Sequence, residues 1–332
     1  MLGIRRREFI SLLGGTIAWP MASLAQQDDR ARRIGVLTNG FENDHVQQAR
    51  WATLREGLAK FGWIDGRNLR IDIRWGAGDP ERLAAHATEL VTFAPDVIVA
   101  DAGAATRALQ QATQTIPILY LDGGDPAVTG VVRNIARPEG NTTGFSNPEF
   151  PLAEKWLELL KEAAPHVDRA ALLFNPAVLS DRTRPESVMK VAALAHGVAT
   201  MEMPVHDPIE IERAIDAFAA EPNGGLLVFS LGETGPNRDA TIRMALKRRL
   251  PAIFGSREDV AAGGLMSYGA DVADQYRRSA SYIDRLLHGA KVSELPVQFP
   301  TKFELVVNPK TAKAIGLTIP ESLLLRVDEV IE

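Results

Sequence analysis

Short apolar runs rich in β-branched residues alternate with helical patterns along almost the whole chain after residue 32, and this alternation limits the folds open to it. Residues 33–39 (RIGVLTN), 69–75, 96–100 (DVIVA) and 117–121 (PILYL) read as strands, and 140–146 as a looser fifth. Between them 46–61, 80–93 and 104–113 have helical periodicity, with Leu54, Leu58 and Phe61 at core spacing in the first. The pattern restarts after 151. Helices are expected at 152–164, 185–196, 208–220, 237–249 and 272–287, and strands at 169–174, 200–205, 225–230, 252–255, 265–268 and 303–307. Strands joined by helices of this length form right-handed βαβ units and parallel sheets. Two such runs predict an α/β chain of two similar doubly wound parallel-sheet lobes with a cleft between them. The joint is expected near 141–151, which is rich in Gly, Asn, Pro and Ser.

The first twenty-five residues follow a different rule. Arg5, Arg6, Arg7, Glu8 and Phe9 precede a mildly apolar run, and Ser23-Leu24-Ala25 offers a small-x-small cleavage site. That order reads as an export signal over 1–25, and Arg6-Arg7-Glu8-Phe9 points to the twin-arginine route, with the general secretory route as the alternative. The apolar run is shorter than the ~20 residues a membrane span needs. The expected location is the periplasm, with cleavage near Ala25.

Composition narrows the chemistry. The chain carries a net charge of −5, and the expected leader takes away three arginines and one glutamate, leaving −7. An acidic surface argues against nucleic-acid and anionic-membrane partners. No cysteine is present, which excludes thiol nucleophiles and thiolate metal sites. The six histidines include no pair three to five residues apart, and there is no G-x-S-x-G elbow or Walker loop. Gly76-Ala77-Gly78 reads as a turn before the next helix, and Asp122 and Asp125 as turn residues beside glycines. No catalytic residue, metal or cofactor is expected.

The loops expected at the carboxyl ends of the strands are small and polar, where parallel α/β sheets bind ligands against helix N-termini. They supply Asn39, Phe41, Gly103, Ala104, Asp125, Asn175, Ser230, Glu233, Ser256 and Arg257 as candidate ligand-binding residues. Facing each other from two lobes, these loops would enclose a small molecule.

Particular strings carry a resemblance. They are RIGVLTNG, LREGLAKFGWIDGRNLRIDI, DVIVADAGAATRAL, TIPILYLDGGDP, RPEGNTTGFS and AAGGLMSYGAD, and then LPVQFPTKFELVVNPKTAKAIGLTIPESLLLRVDEVIE. With these, residues 33–332 resemble the periplasmic substrate-binding proteins of ABC transporters, in the group with tryptophan- and tyrosine-binding members. The resemblance implies the type I periplasmic binding protein fold and no enzymatic activity. It also implies a monomer that closes on an amino acid or related small molecule and docks on a permease with its ATPase. It implies a lobe 1 of 30–143 plus 257–290 and a lobe 2 of 144–256 plus 291–332. Asp125-Pro126 and Asn175-Pro176 match family pairs, and Ser230 stands where members place Thr or Ser. Gly103 stands where amino-acid binders often carry a hydroxyl, and Leu231 and Gly232 replace a polar pair. Glu233 or Arg257 is then left for charge recognition, and Phe41 for an apolar wall or the core. A sensor of the same fold that presents its ligand to a membrane receptor is the main alternative, ahead of an exported α/β hydrolase.

Overall fold

The structure is a computed structural model that describes residues 31–124, 126–176, 193, 195–229 and 235–331. Its first sheet is wholly parallel, in the order β2-β1-β3-β4-β5, from β1 (Arg32–Thr38), β2 (Leu69–Trp75), β3 (Val97–Asp101), β4 (Ile118–Gly123) and β5 (Thr142–Ser146). Helices α1 (His45–Lys60), α2 (Pro80–Thr92), α3 (Ala102–Ala112) and the short α4 (Pro126–Thr129) connect the strands.

Period-two alternation gives this sheet a core on each face. Ile34, Val36, Val97 and Val99 pack with Trp51, Leu54 and Leu58 of α1. Leu37, Ile98, Ala100 and Ile118 face Leu83 and Leu90 of α2 and Leu109 of α3 on the other side. Phe61, expected in the core, is 48% exposed. It caps α1 at the C-terminus, where the chain leaves helical geometry and the helical spacing no longer holds.

The second sheet runs β12-β11-β10-β9-β8-β6-β7 and is parallel except between β10 and β11. Its strands are β6 (Arg169–Phe174), β7 (Ala199–Pro204), β8 (Gly224–Val228), β9 (Ala252–Phe254), β10 (Met266–Ala270), β11 (Phe303–Val307) and β12 (Glu329–Val330). Helices α5 (Ala153–Ala163), α6 (Pro208–Phe218), α7 (Gly235–Arg248), α8 (Arg257–Ala261), α9 (Val272–Leu287), α10 (Pro309–Ile315) and α11 (Glu321–Leu324) complete the chain. Trp156, Leu157 and Leu160 of α5 pack with Leu172 and Leu227 on one face. Ile211 and Ile215 of α6 pack with Leu173 and Leu226 on the other. The helix expected over 185–196 falls largely outside the described residues.

Helix starts follow a repeated local chemistry. Asp79, Asp207 and Asn308 each cap a helix whose first residue is proline, and each side chain accepts from a backbone N–H two or three residues on. The proline lacks a donor where none is needed, and its fixed φ suits the first turn.

The lobe boundaries differ from the expected ones. Helix α9 does join the first sheet, with Tyr276, Ile283 and Leu287 in its core. α8 and β10, however, lie with the second sheet, because β10 completes a ladder between β9 and β11. Residues 292–297 return to the first lobe: Val292 and Leu295 are buried there, and Thr143 donates its hydroxyl to the Leu295 carbonyl at 2.6 Å. β5, which the expected boundary at 143 cuts, stays whole in the first sheet. The chain therefore crosses between lobes at 147–149, at Asp271 and at 299–302. The crossovers lie side by side: the Ser146 N–H donates to the Gln298 carbonyl at 2.8 Å, and the Asp271 N–H to the Lys302 carbonyl at 3.2 Å.

Glycine is needed where β10 approaches the second crossover. A Cβ on Gly269 would lie 1.7 Å from the backbone oxygen of Gly255. Backbone cannot yield as a side chain can, so Gly269→Ala is expected to cost about 3 kcal/mol. The check is urea denaturation, where the midpoint falls with the m-value kept.

Candidate functional site

Parallel pairing brings the sequence-predicted loops together in two groups. In the first sheet Thr38 pairs with Asp101, and Asp101 with Leu121, so the loops after β1, β3 and β4 share one edge. That edge holds Asn39, Phe41, Gly103 and Ala104. In the second sheet β6, β8 and β9 end together, which places Asn175 and Ser256 on one edge. Asp125, Ser230 and Glu233 lie outside the described residues.

The loop after β1 is fixed by the Gly76–Gly78 turn. The N–H groups of Gly76, Ala77 and Gly78 donate to the carbonyls of Thr38, Gly40 and Asn39 at 2.7, 3.1 and 2.9 Å. Asn39 keeps a buried Oδ1 with no hydrogen-bond partner among the described residues. Phe41 is half-buried beside it. At the start of α3, Ala102 has a φ of 73°, a left-handed conformation that non-glycine residues avoid and that clusters at binding sites. Asp101 makes no side-chain cap to its own helix. The first-turn amides at Gly103 and Ala104 therefore keep their outward direction, on residues that are partly exposed.

Asp101 itself is fully buried, and sequence reasoning did not select it. The Thr38 hydroxyl donates to its Oδ2 at 2.8 Å and the Tyr276 hydroxyl to its Oδ1 at 2.6 Å. Tyr276 also packs edge-on against Trp51, with Arg50 6.0 Å above the tyrosine ring. A tyrosine on the apolar face of a helix reads as core from sequence, so its pairing with a residue 175 positions away left no local signal.

On the second lobe the Ser256 hydroxyl donates to Asp259 at 2.8 Å. Burial pushes the Asp259 carboxyl up to about 6, partly opposed by that hydrogen bond and by the Arg238 and Arg50 charges. Arg50 belongs to α1 of the first lobe and Arg238 to α7 of the second, so this acid feels both sides of the cleft. Arg257, expected to recognise ligand charge, is instead engaged through two nitrogens by Glu329 of β12. That partner holds Arg257 above the usual arginine range and Glu329 below the usual carboxylate range.

Two outcomes follow from these groups. A raised carboxyl pKa means the folded state holds its proton more tightly than the unfolded chain does. Its stabilising effect is complete below the ordinary carboxyl range and is lost as pH rises through about 6. Thermal melts between pH 4 and 7 are expected to show this slope, and Asp259→Asn to flatten it. Tyr276→Phe strips a donor from buried Asp101 and is expected to cost about 1–3 kcal/mol in chemical denaturation.

Residues 37–331 match the profile of the ABC transporter substrate binding protein family. The chain is 24% identical over 268 residues to the tyrosine-binding protein of Clostridioides difficile, a match covering 79% of this chain and 75% of that one. A conserved domain protein from Vibrio cholerae superposes with a TM-score of 0.82 at 26% identity, covering 91% of this chain and 100% of the other. An ABC domain solved with L-Trp from Streptococcus pneumoniae superposes with a TM-score of 0.77 at 25% identity, covering 90% and 100%. Two α/β lobes, and a family profile spanning almost all of both, place this chain in the ABC transporter substrate-binding protein family.

Proposed function

We propose that this protein is the periplasmic capture component of an ABC importer, taking an amino acid with an aromatic side chain between its lobes and delivering it to a membrane permease. The observation that carries this reading is the pairing of uncapped α3 amides with buried Asp101 beside them. The amides attract a carboxylate through the helix dipole. Asp101 draws on the same field and disfavours a ligand with net negative charge. An amino-acid zwitterion suits both, since its ammonium offsets its own carboxylate. The relatives support the class: one carries the name tyrosine-binding protein and another was solved with L-Trp.

Export fits the same role. The leader over 1–25 would carry the chain across the membrane, and among the described residues no helix is long and apolar enough to span one. N-terminal sequencing of the exported protein is expected to begin just after Ala25.

Ligand choice is read by thermal unfolding of the leader-free protein against L-tryptophan, L-tyrosine and their des-amino analogues. A ligand at 100 times its Kd adds about 2.7 kcal/mol of stability. L-Tryptophan or L-tyrosine is expected to stabilise, and the des-amino acids to bind at least about tenfold more weakly. Asn175→Ala is expected to cost about tenfold in affinity through one lost hydrogen bond. No shift with any amino acid, or equal binding of the des-amino acids, would sink the reading.

A further inference from the structure

Arg278 touches the stems of all three interlobe crossovers. It lies in the second turn of α9, the helix that leaves the crossover at Asp271. Its guanidinium sits over the Phe145 ring, 5.6 Å from the centroid, and Phe145 is the last residue but one before the crossover at 147–149. Nη2 donates to Gln298 Oε1 at 3.1 Å, immediately before the crossover at 299–302. Nη1 donates to the Thr301 hydroxyl inside that crossover at 3.4 Å. One turn earlier on α9, Asp274 takes the next residue of the same crossover through Lys302 Nζ at 3.4 Å, and stands 3.8 Å from Arg278 Nη1. The Gln298 end is fixed in turn. Its Nε2 donates to the Tyr282 hydroxyl at 2.8 Å, and that hydroxyl donates to the Pro296 carbonyl at 2.7 Å. The amide oxygen is then the group turned to the arginine. A planar cation suits this place, because it can stack on a ring and hydrogen-bond in its own plane at once.

We propose that Arg278 is the hinge pin of this protein: a positioning residue that binds the three crossover stems into one pivot and so limits how the lobes swing. The idea rests on the two-lobed receptor reading. Three separate stretches of chain could bend independently, which lets the lobes twist as well as open. Tied at one cation, they bend together. A narrower set of ligand-free arrangements leaves less freedom to lose on closure, and that raises affinity without adding a ligand contact. Each contact is weak singly, since the Arg278 side chain is 29% exposed. The pin should therefore act on the breadth of motion and on affinity, and little on folding.

Interlobe distances read this directly. The chain has no cysteine, so Lys60→Cys on the first lobe and Lys313→Cys on the second carry a label pair. In that background Arg278→Gln is expected to widen the ligand-free distance distribution by about half or more, with the melting temperature within about 3 °C of its parent. Arg278→Lys keeps the charge but loses the fork, and should widen the distribution too. Thr301→Val lacks the hydroxyl and should act in the same direction, with the Arg278→Gln double variant less than additive. These two variants carry the test if Arg278→Gln folds poorly. Arg285→Gln is the control: it lies on the same helix, with a contact to the Glu294 carbonyl at 3.5 Å, and should leave the width unchanged.

With L-tryptophan as probe, Arg278→Gln should bind about three- to tenfold more weakly than wild type. An unchanged width in the Arg278 variants, equal widening in Arg285→Gln, or unchanged affinity for a probe that binds overturns the pin. The distance arm needs no ligand, so it decides the pin even if L-tryptophan fails to bind and the transport reading falls with it.

Discussion

A buried carboxylate must be hydrogen-bonded, and the way Asp101 meets that requirement organises the strand-end edge of the first lobe. Thr38 on β1 and Tyr276 on α9 each give it a hydroxyl proton. One side chain at the end of β3 is thereby tied to the neighbouring strand and to a helix that enters from the other lobe. The left-handed backbone at Ala102 is held in place by this arrangement. Without it, the start of α3 would be free to relax, and its first-turn amides would lose their direction.

The same helix couples the two lobes mechanically. α9 follows β10 of the second sheet, crosses at Asp271, and packs against α1 of the first. Asp274 near its start is buried and paired with Arg277 at 3.1 Å and Lys302 at 3.4 Å, so two of the three crossovers share one acid. A hinge built this way can bend only where the crossovers bend. Under the proposed function, motion would be directed across the cleft between the strand-end loops, where a ligand touching both lobes would shift the population toward the closed form.

Much of the fold was legible because hydrophobic periodicity is a local property. The runs at 33–39, 96–100 and 169–174 emerged as strands, since a strand buried on both faces has to be apolar throughout. The helices expected from 80 and from 208 formed as well, whereas α10 (Pro309–Ile315) was not anticipated. The misplaced pieces were those whose membership depends on a distant partner. Residues 266–270 joined the second sheet because β9 offers an unpaired edge, and 292–297 joined the first because Val292 and Leu295 fill a core there. Of the candidate site, the strand-end loops holding Asn39, Gly103 and Ala104 could be found from the rule that parallel sheets bind ligands at their carboxyl ends. Asp101, Tyr276 and Asp259 could not, since their roles come from burial and from contacts made only after folding. Arg257 was misread for the converse reason, because its guanidinium is claimed by Glu329, 72 residues away.

By itself the sequence determined that this chain forms parallel βαβ lobes with small polar loops at one edge, because strand and helix periods and helix caps are written within a few residues of each other. Only the tertiary structure decided which segment serves which lobe, which carboxylate is buried between two hydroxyls, and which acid claims Arg257. Those outcomes depend on pairs of groups tens to hundreds of residues apart, whose energies exist only once water has been excluded from between them.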